Sequence, residues 1–78
     1  MTKIRFNPNQ ISAPEITAYF EQYMFDAKAA PIGDGAFQLG ALTIYPEGII
    51  ETTVSKDNMV LQIALEDFRN DGFEYEFL

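Results

Sequence analysis

The sequence contains no cysteine, no histidine and no tryptophan. Without cysteine the chain forms no disulfide bond, and thiol redox chemistry is excluded. Structural zinc sites normally use cysteine or histidine ligands, so this class of metal site is excluded as well. Activated serine or cysteine nucleophiles need a general base, usually histidine, which is also missing. These absences predict a non-enzymatic protein that holds neither a metal nor a cofactor.

Positive charge is also scarce. Five basic residues stand against 12 acidic ones, and the formal net charge is −7. Nucleic-acid affinity depends on neutralising phosphates with lysine and arginine, so direct binding to nucleic acid or to an anionic membrane is disfavoured. A basic protein surface would instead be attracted, and its association accelerated. The alternative reading is that the charge only supports solubility.

Long apolar runs are missing too. The longest uncharged run, Gly35–Pro46, has 12 residues, whereas a membrane-spanning helix needs about 20 apolar ones. The stretch 1–6 is too short and too charged for the apolar part of a signal peptide. The lack of cysteine fits a reducing compartment. We therefore expect a soluble, cytoplasmic protein without membrane contact.

Apolar residues and aromatic rings are abundant. The chain of 78 residues is 47% hydrophobic and contains seven phenylalanines and four tyrosines. Large rings bury much area per residue, so one core can form without disulfides or metals. The length predicts a single domain over residues 1–78.

Hydrophobic periodicity predicts four strands. Alternating residues indicate the first and last strands, and β-branched residues indicate the third. The second strand contains Gly40-Ala41, where a β-bulge would bring the apolar residues on both sides to one face. The alternative is two shorter strands with a bend, and residues 29–35 are predicted to be a loop. The four predicted strands are Thr2–Phe6, Ala36–Tyr45, Ile49–Val54 and Phe73–Leu78.

Two helices are predicted. The first begins with a capping box, Ser12 to Glu15, and continues as an apolar stripe from Ile16 to Ala27. The second covers residues 57–71, with Ser55 or Asp57 as its cap and Gly72 just after its end. The alternative for the second region is a strand over Met59–Ala64.

The order of these elements, β-α-β-β-α-β, is that of a ferredoxin-like α+β fold. It predicts a two-layer sandwich with a four-stranded antiparallel sheet and both helices on one face. The exposed sheet face would then pair Lys3 and Arg5 with Glu51, Glu74 and Glu76. Nine acids and three bases remain, so most of the negative charge is predicted to lie on the helical layer.

Several apolar residues fall outside the two helical stripes, and acids surround them. Apolar anchors with a polar rim are typical of protein-binding surfaces. The alternative is that Phe25 packs under the 29–35 loop and that Met59 lies in a frayed first turn, since single exposed apolar residues are common. The predicted partner-binding residues are Glu21, Phe25, Asp26, Met59, Ile63, Glu66 and Asp67.

The resulting hypothesis is a non-enzymatic protein-binding module or inhibitor. Its acidic surface would face a basic partner, such as the nucleic-acid site of another protein. The alternative is a structural subunit that forms a homodimer through Phe25, Met59 and Ile63. RNA recognition by an exposed aromatic sheet face is disfavoured, because Glu51, Glu74 and Glu76 would occupy that face.

Overall fold

The structure of the chain, a computed structural model, describes residues 1–24 and 26–78. Within these residues two helices pack on a single antiparallel sheet of six strands, which makes an α+β fold. No helix of this part is long and apolar enough to cross a membrane. The strands are β1 Thr2–Phe6, β2 Ala30–Gly33, β3 Ala36–Leu39, β4 Leu42–Tyr45, β5 Ile49–Thr52 and β6 Tyr75–Phe77; the helices are α1 Ala13–Glu21 and α2 Met59–Asn70.

The predicted four-stranded sheet with β-α-β-β-α-β order is wrong. The described chain runs β-α-β-β-β-β-α-β, and the spatial order of the strands is β2-β3-β4-β5-β1-β6. Consecutive strands from β2 to β5 form a meander, and β1 lies between β5 and β6. The additional strands arise because two segments turn back on themselves where a loop and a single strand were predicted.

The first of these segments is residues 29–35, predicted as a loop. Strand β2 occupies most of it, and Asp34 and Gly35 form the turn to β3, with φ values of 55° and 81°. Positive φ at both central positions is the pattern of a type I′ hairpin turn, for which Asp-Gly is a preferred sequence. Pro31 is tolerated because β2 is an edge strand.

The second segment is Ala36–Tyr45, predicted as one strand with a bulge. It is a hairpin with Gly40-Ala41 as its two-residue turn, and Leu39 stands opposite Leu42. The alternative of two shorter strands is therefore confirmed, and the bulge is wrong. The apolar residues still share one face, because residues directly opposite each other in an antiparallel pair point the same way.

Helix α1 begins as predicted and ends early. The Ser12 hydroxyl accepts from the Glu15 amide at 3.4 Å, and the Glu15 carboxylate accepts from the Ser12 amide at 3.1 Å, which completes the capping box. The helix ends at Glu21, well before Ala27, and the chain continues in turns. These turns lead back to β2, and the Ala29 amide donates to Glu21 Oε2 at 2.8 Å.

Helix α2 confirms the predicted second helix, and the alternative of a strand over Met59–Ala64 is wrong. Its cap is Asn58, whose Oδ1 accepts from the Leu61 amide at 3.1 Å; the predicted caps Ser55 and Asp57 are wrong. An Asn side chain directly before the first turn satisfies its free amides, which residues further upstream cannot reach. The predicted stop at Gly72 is confirmed, with φ of 97°.

The end of α2 is a Schellman motif. The Gly72 amide donates to the Arg69 carbonyl at 3.0 Å, and the Phe73 amide donates to the Phe68 carbonyl at 3.2 Å. The rings of Phe68 and Phe73 stack with centroids 4.9 Å apart. Because Phe73 belongs to this motif, β6 begins only at Tyr75, two residues later than predicted.

One core lies between the helices and the sheet, so both helices cover the same face, as predicted. Phe20 from α1 and Phe68 from α2 meet in it, with ring centroids 5.7 Å apart. Tyr75 and Phe77 share this face at the edge, where Phe77 remains 40% exposed. The buried apolar cluster consists of Ile4, Phe6, Ile11, Ala13, Ile16, Phe20, Leu39, Leu42, Ile44, Ile50, Leu61, Ala64, Leu65 and Phe68.

Candidate protein-binding surfaces

The sheet face that points away from the helices carries paired charges. Lys3 stands opposite Glu51, and Arg5 stands opposite Glu76. Arg5 Nη1 lies 2.8 Å from Glu76 Oε1, and this is the one salt bridge within the described residues. The structure thus confirms the predicted placement of both bases beside acids. An exposed pair of this kind contributes only about 0–1 kcal/mol, so its effect is mainly to balance charge on this face.

The acids of the helical layer are not balanced in this way. Glu21, Asp26 and Glu66 are exposed, and none has a basic nitrogen within 4.0 Å in the part of the chain described. Glu21 makes a different contact, since its carboxylate accepts from the Ala29 amide. Within the described residues, these three acids of the helical layer therefore form no salt bridge.

Two further acids join the helices to each other. The Tyr23 hydroxyl donates to Asp67 Oδ2 at 2.7 Å, and the Tyr19 hydroxyl donates to Asp71 Oδ2 at 2.5 Å. Burial, followed by the bond to Asp71, raises the pKa of Tyr19; the bond to Asp67, followed by burial, raises the pKa of Tyr23. Both hydroxyls keep their protons at neutral pH and act as donors.

Asp67 therefore differs from the other acids predicted to bind a partner. It is half-buried and already bonded to Tyr23, which makes it part of the contact between α2 and the turn that follows α1. The sequence contains a signal for this contact, because the two tyrosines and the two aspartates are each four residues apart. Sequence periodicity does not show that the two helices are neighbours, so it cannot show that these tyrosines bond with these aspartates.

Apolar residues are exposed along the first turns of α2. Met59 is 73% exposed and Ile63 is 48% exposed, and both lie on the outward ridge together with Glu66. Val60, which the sequence analysis did not single out, is 46% exposed beside them. Phe25, the remaining apolar residue predicted for this surface, lies outside the described residues.

The predicted surface therefore comes from two parts of the chain. Met59, Ile63 and Glu66 belong to α2, whereas Glu21 ends α1 and Asp26 lies in the turns that follow it. The Tyr23–Asp67 bond joins the turn after α1 to the C-terminal half of α2. We call the outward side formed by Met59, Val60, Ile63 and Glu66 the α2 ridge.

Strand β6 separates two grooves that the sequence analysis did not predict. The first, which we call the acidic groove, has a volume of about 500 Å³ and lies where β1 ends and β6 begins. Its charged lining residues are three glutamates and one arginine. They are Arg5, Glu47, Glu74 and Glu76.

The second groove, which we call the helix–strand groove, has a volume of about 310 Å³ and lies between α2 and β6. Leu65, Tyr75 and Phe77 supply apolar surface to it. The guanidinium of Arg69 lies over the Tyr75 ring, 4.2 Å from its centroid, a cation–π contact that orders one wall of the groove. Both grooves depend on β6 lying beside β1 and below α2, which sequence periodicity does not specify.

No three acidic side chains of the described residues converge as metal ligands would. Asn58 and Asp71 have local roles, since Asn58 caps α2 and Asp71 ends it. Comparisons of the chain with protein families, with curated proteins and with solved structures gave no match.

Proposed function

We propose that the chain is a non-enzymatic protein-binding module, or inhibitor, that uses its acidic helical layer against a basic surface of another protein. The site through which a second protein binds nucleic acid is such a surface. The observation that carries the proposal is the unequal pairing of charge. On the exposed sheet face Lys3 and Arg5 stand opposite Glu51 and Glu76, and Arg5 forms a salt bridge with Glu76, whereas Glu21, Asp26 and Glu66 form no salt bridge within the described residues.

Unpaired surface acids favour a basic partner for two reasons. They steer the partner during encounter, and they supply carboxylates that are free to form ion pairs across an interface. Acids already paired with bases, such as Glu76 with Arg5, lose part of that capacity. The helical layer is therefore the better docking side for a large, flat, basic surface.

The α2 ridge adds apolar contact area to this charge. Met59 and Ile63 are large, exposed and flanked by Glu66. Apolar residues at the centre of an interface supply most of its affinity, and a charged rim supplies specificity and rate of association. This arrangement supports a specific protein surface as the partner, in preference to a loose polycation.

The test is affinity capture from a lysate of the organism that carries the sequence, at low and high salt. Wild-type chain is compared with Asp26→Lys and Glu66→Lys, and with Glu47→Lys as a control of equal charge change away from the helices. We expect a protein that the wild type and the control retain at low salt, and that both helical-layer variants lose. An excess of a DNA duplex should displace it if its nucleic-acid site is covered.

Equal retention by all four chains, or retention unchanged at high salt, would contradict the proposal.

The exposed residues Met59, Val60 and Ile63 also favour a second candidate function, a structural subunit that forms a homodimer through the α2 ridge. Sedimentation over a range of concentrations separates the two. A monomer at every concentration contradicts the homodimer, and a tight dimer abolished by Ile63→Asp contradicts the first proposal.

A further inference from the structure

Strand β6 has one unpaired edge. It pairs with β1 on one side, and no described strand lies on its other side. The Leu78 amide donates to the Lys3 carbonyl at 2.9 Å. Along an antiparallel ladder, residue pairs that exchange main-chain hydrogen bonds alternate with pairs that do not. Lys3 and Leu78 are a bonded pair, so Arg5 and Glu76, two residues along, also exchange main-chain hydrogen bonds. The amides and carbonyls of Tyr75 and Phe77 are consequently directed away from β1, toward the open edge.

The side chains of β6 divide by chemistry between the two faces of the sheet. Tyr75 and Phe77 lie on the helix face and line the helix–strand groove with Leu65. Glu76, opposite Arg5, lies on the exposed sheet face and lines the acidic groove with Glu74, which comes just before β6. An additional strand placed along this edge would therefore meet the rings of Tyr75 and Phe77, beside polar groove residues such as Lys56 and Arg69, on one face and carboxylates on the other.

From this arrangement we propose that β6 binds an extended segment of another protein in which basic and apolar residues alternate. The segment would add to the sheet as a further strand, with main-chain bonds to Tyr75 and Phe77. This is β-augmentation, in which the main chain provides affinity and alternate side-chain pockets provide specificity. The site borders the helical layer at Glu66, which also lines the helix–strand groove, but it does not depend on the function proposed for that layer.

The alignment of an added strand with β6 determines the charge that the partner must carry. Side chains of an added strand that lie on the exposed sheet face are neighbours of Glu74 and Glu76. Glu76 already forms a salt bridge with Arg5, but no basic nitrogen of the described residues lies within 4.0 Å of Glu74. Opposite charges on neighbouring strands are stabilising and like charges are destabilising. A lysine or arginine of the partner therefore fits this position.

A second copy of the chain does not fit. Two β6 strands that pair through both Tyr75 and Phe77 place Glu76 directly opposite Glu76 of the second copy, which puts like charges side by side. The partner is accordingly a different chain with positive charge at alternate positions.

The probe for this proposal is a short acetylated, fluorescein-labelled peptide of alternating lysine and valine, titrated with the full chain and followed by anisotropy. Two N-methylated versions are compared with it, one methylated at every valine nitrogen and one at every lysine nitrogen. Only one set of nitrogens points at β6: the valine set if the peptide is antiparallel, the lysine set if it is parallel. One version should lose roughly tenfold or more in affinity and the other should bind like the parent peptide.

Equal affinity of both methylated peptides, or an equal loss for both, would overturn the proposal, because neither result fits an edge-paired strand. A block peptide with the same residues, lysines first and valines last, controls for net charge. It should bind more weakly than the alternating peptide, and equal binding would show attraction by charge alone.

Variants of the chain provide an independent test. Phe77→Ala removes the ring and keeps the outward amide, whereas Phe77→Pro also removes that amide without removing a bond to β1. We expect Phe77→Pro to bind the alternating peptide more weakly than Phe77→Ala, with circular dichroism melting confirming that both are folded. Equal affinities would count against main-chain pairing.

Charge reversal separates this site from the helical layer. Glu76→Lys should lower affinity for the alternating peptide by about fivefold, since cross-strand charge pairs contribute up to about 1 kcal/mol. Asp26→Lys has the same change in charge and lies on the helical layer, so it should leave peptide affinity unchanged. If Asp26→Lys lowers affinity as much as Glu76→Lys does, the peptide binds elsewhere and the β6 site is excluded.

Discussion

The two edge strands of the sheet, β2 and β6, differ in the features that keep them from pairing with strands of other molecules. At one edge, β2 is uncharged, has four exposed residues, contains Pro31, and changes register against β3 between Pro31 and Gly33. At the other edge, β6 is regular and aromatic, with Glu74 just before it and Glu76 at its centre. Proline, irregular register and charge are all known devices that keep edge strands from associating.

These devices have different consequences. A missing amide and a shifted register obstruct any added strand, whatever its sequence. Charge obstructs only strands of like charge and attracts those of opposite charge. The comparison indicates that β2 is a closed edge and β6 is a selective one.

The largest expected effect concerns the anchoring of the β6 edge. Phe68 is fully buried and contacts Phe20, Phe73 and Tyr75. Phe68→Ala should lower the free energy of unfolding by about 3–5 kcal/mol, because it removes a buried ring and leaves a cavity. Ile32→Ala on the β2 edge is the control and should cost less than about 1 kcal/mol, since Ile32 is 52% exposed. Urea denaturation measures both, and similar losses would show that the two edges are equally anchored.

A smaller effect is expected for the glycines at the two edges. Gly72, before β6, has φ of 97°, and Gly33, at the end of β2, has φ of 102°; an added Cβ would meet no atom within 4 Å at either. Alanine at each position should cost about 1–3 kcal/mol through backbone strain alone. Amide exchange at Phe73 should accelerate only in Gly72→Ala, because only that glycine belongs to the helix end.

The tyrosine–aspartate bonds between the helices should give a pH dependence. The pKa of Tyr19 and that of Tyr23 are raised from 10.0 in the folded chain. Their stabilisation is therefore complete below pH 10, and it is lost as pH rises through the raised pKa values, because the unfolded tyrosines release their protons first. Tyr19→Phe with Tyr23→Phe should flatten this alkaline decline, as followed by denaturation between pH 8 and pH 12. An unchanged slope would mean that other groups cause it.

The smallest effect on stability is expected for Glu76→Gln, at about 0–1 kcal/mol, because the ion pair with Arg5 is exposed. The informative measurement is self-association in concentrated solution. If charge keeps β6 from pairing with itself, Glu76→Gln should dimerise and Glu47→Gln should not. Pro31→Val tests the opposite edge and should create a dimer at β2 that is insensitive to salt. Monomeric Glu76→Gln at all concentrations would show that charge does not protect β6.

The parts of this fold that follow local rules could be predicted from the sequence. The capping box at Ser12, the stop at Gly72 and the alternation that exposes Lys3 and Arg5 depend on neighbours within a few residues. Helix α1 was predicted too long because Tyr23 and Ala27 continue its apolar stripe although they pack on the core from turns. The apolar stripe indicates which residues are buried, and a residue can be buried without belonging to a helix.

The edges and grooves of the sheet could not be predicted in this way. The hairpin signal Asp34-Gly35 was present, but Pro31, Gly33 and Gly35 together favoured a loop. Both β6 grooves depend on elements far apart in the chain, such as Arg5 and Glu74. The bonds from Tyr19 and Tyr23 to α2 depend on the same kind of distant packing.

The Schellman motif at the end of α2 also sets a limit on any complex made through the neighbouring strand. By holding Phe73 at the helix terminus, it leaves only Tyr75–Phe77 as strand, with two residues facing outward. A partner bound as proposed would form few main-chain bonds with β6, so its affinity should be low. Because differences in affinity appear mostly in the rate of dissociation, such a complex should dissociate quickly. Such an edge suits brief, repeated encounters better than permanent assembly.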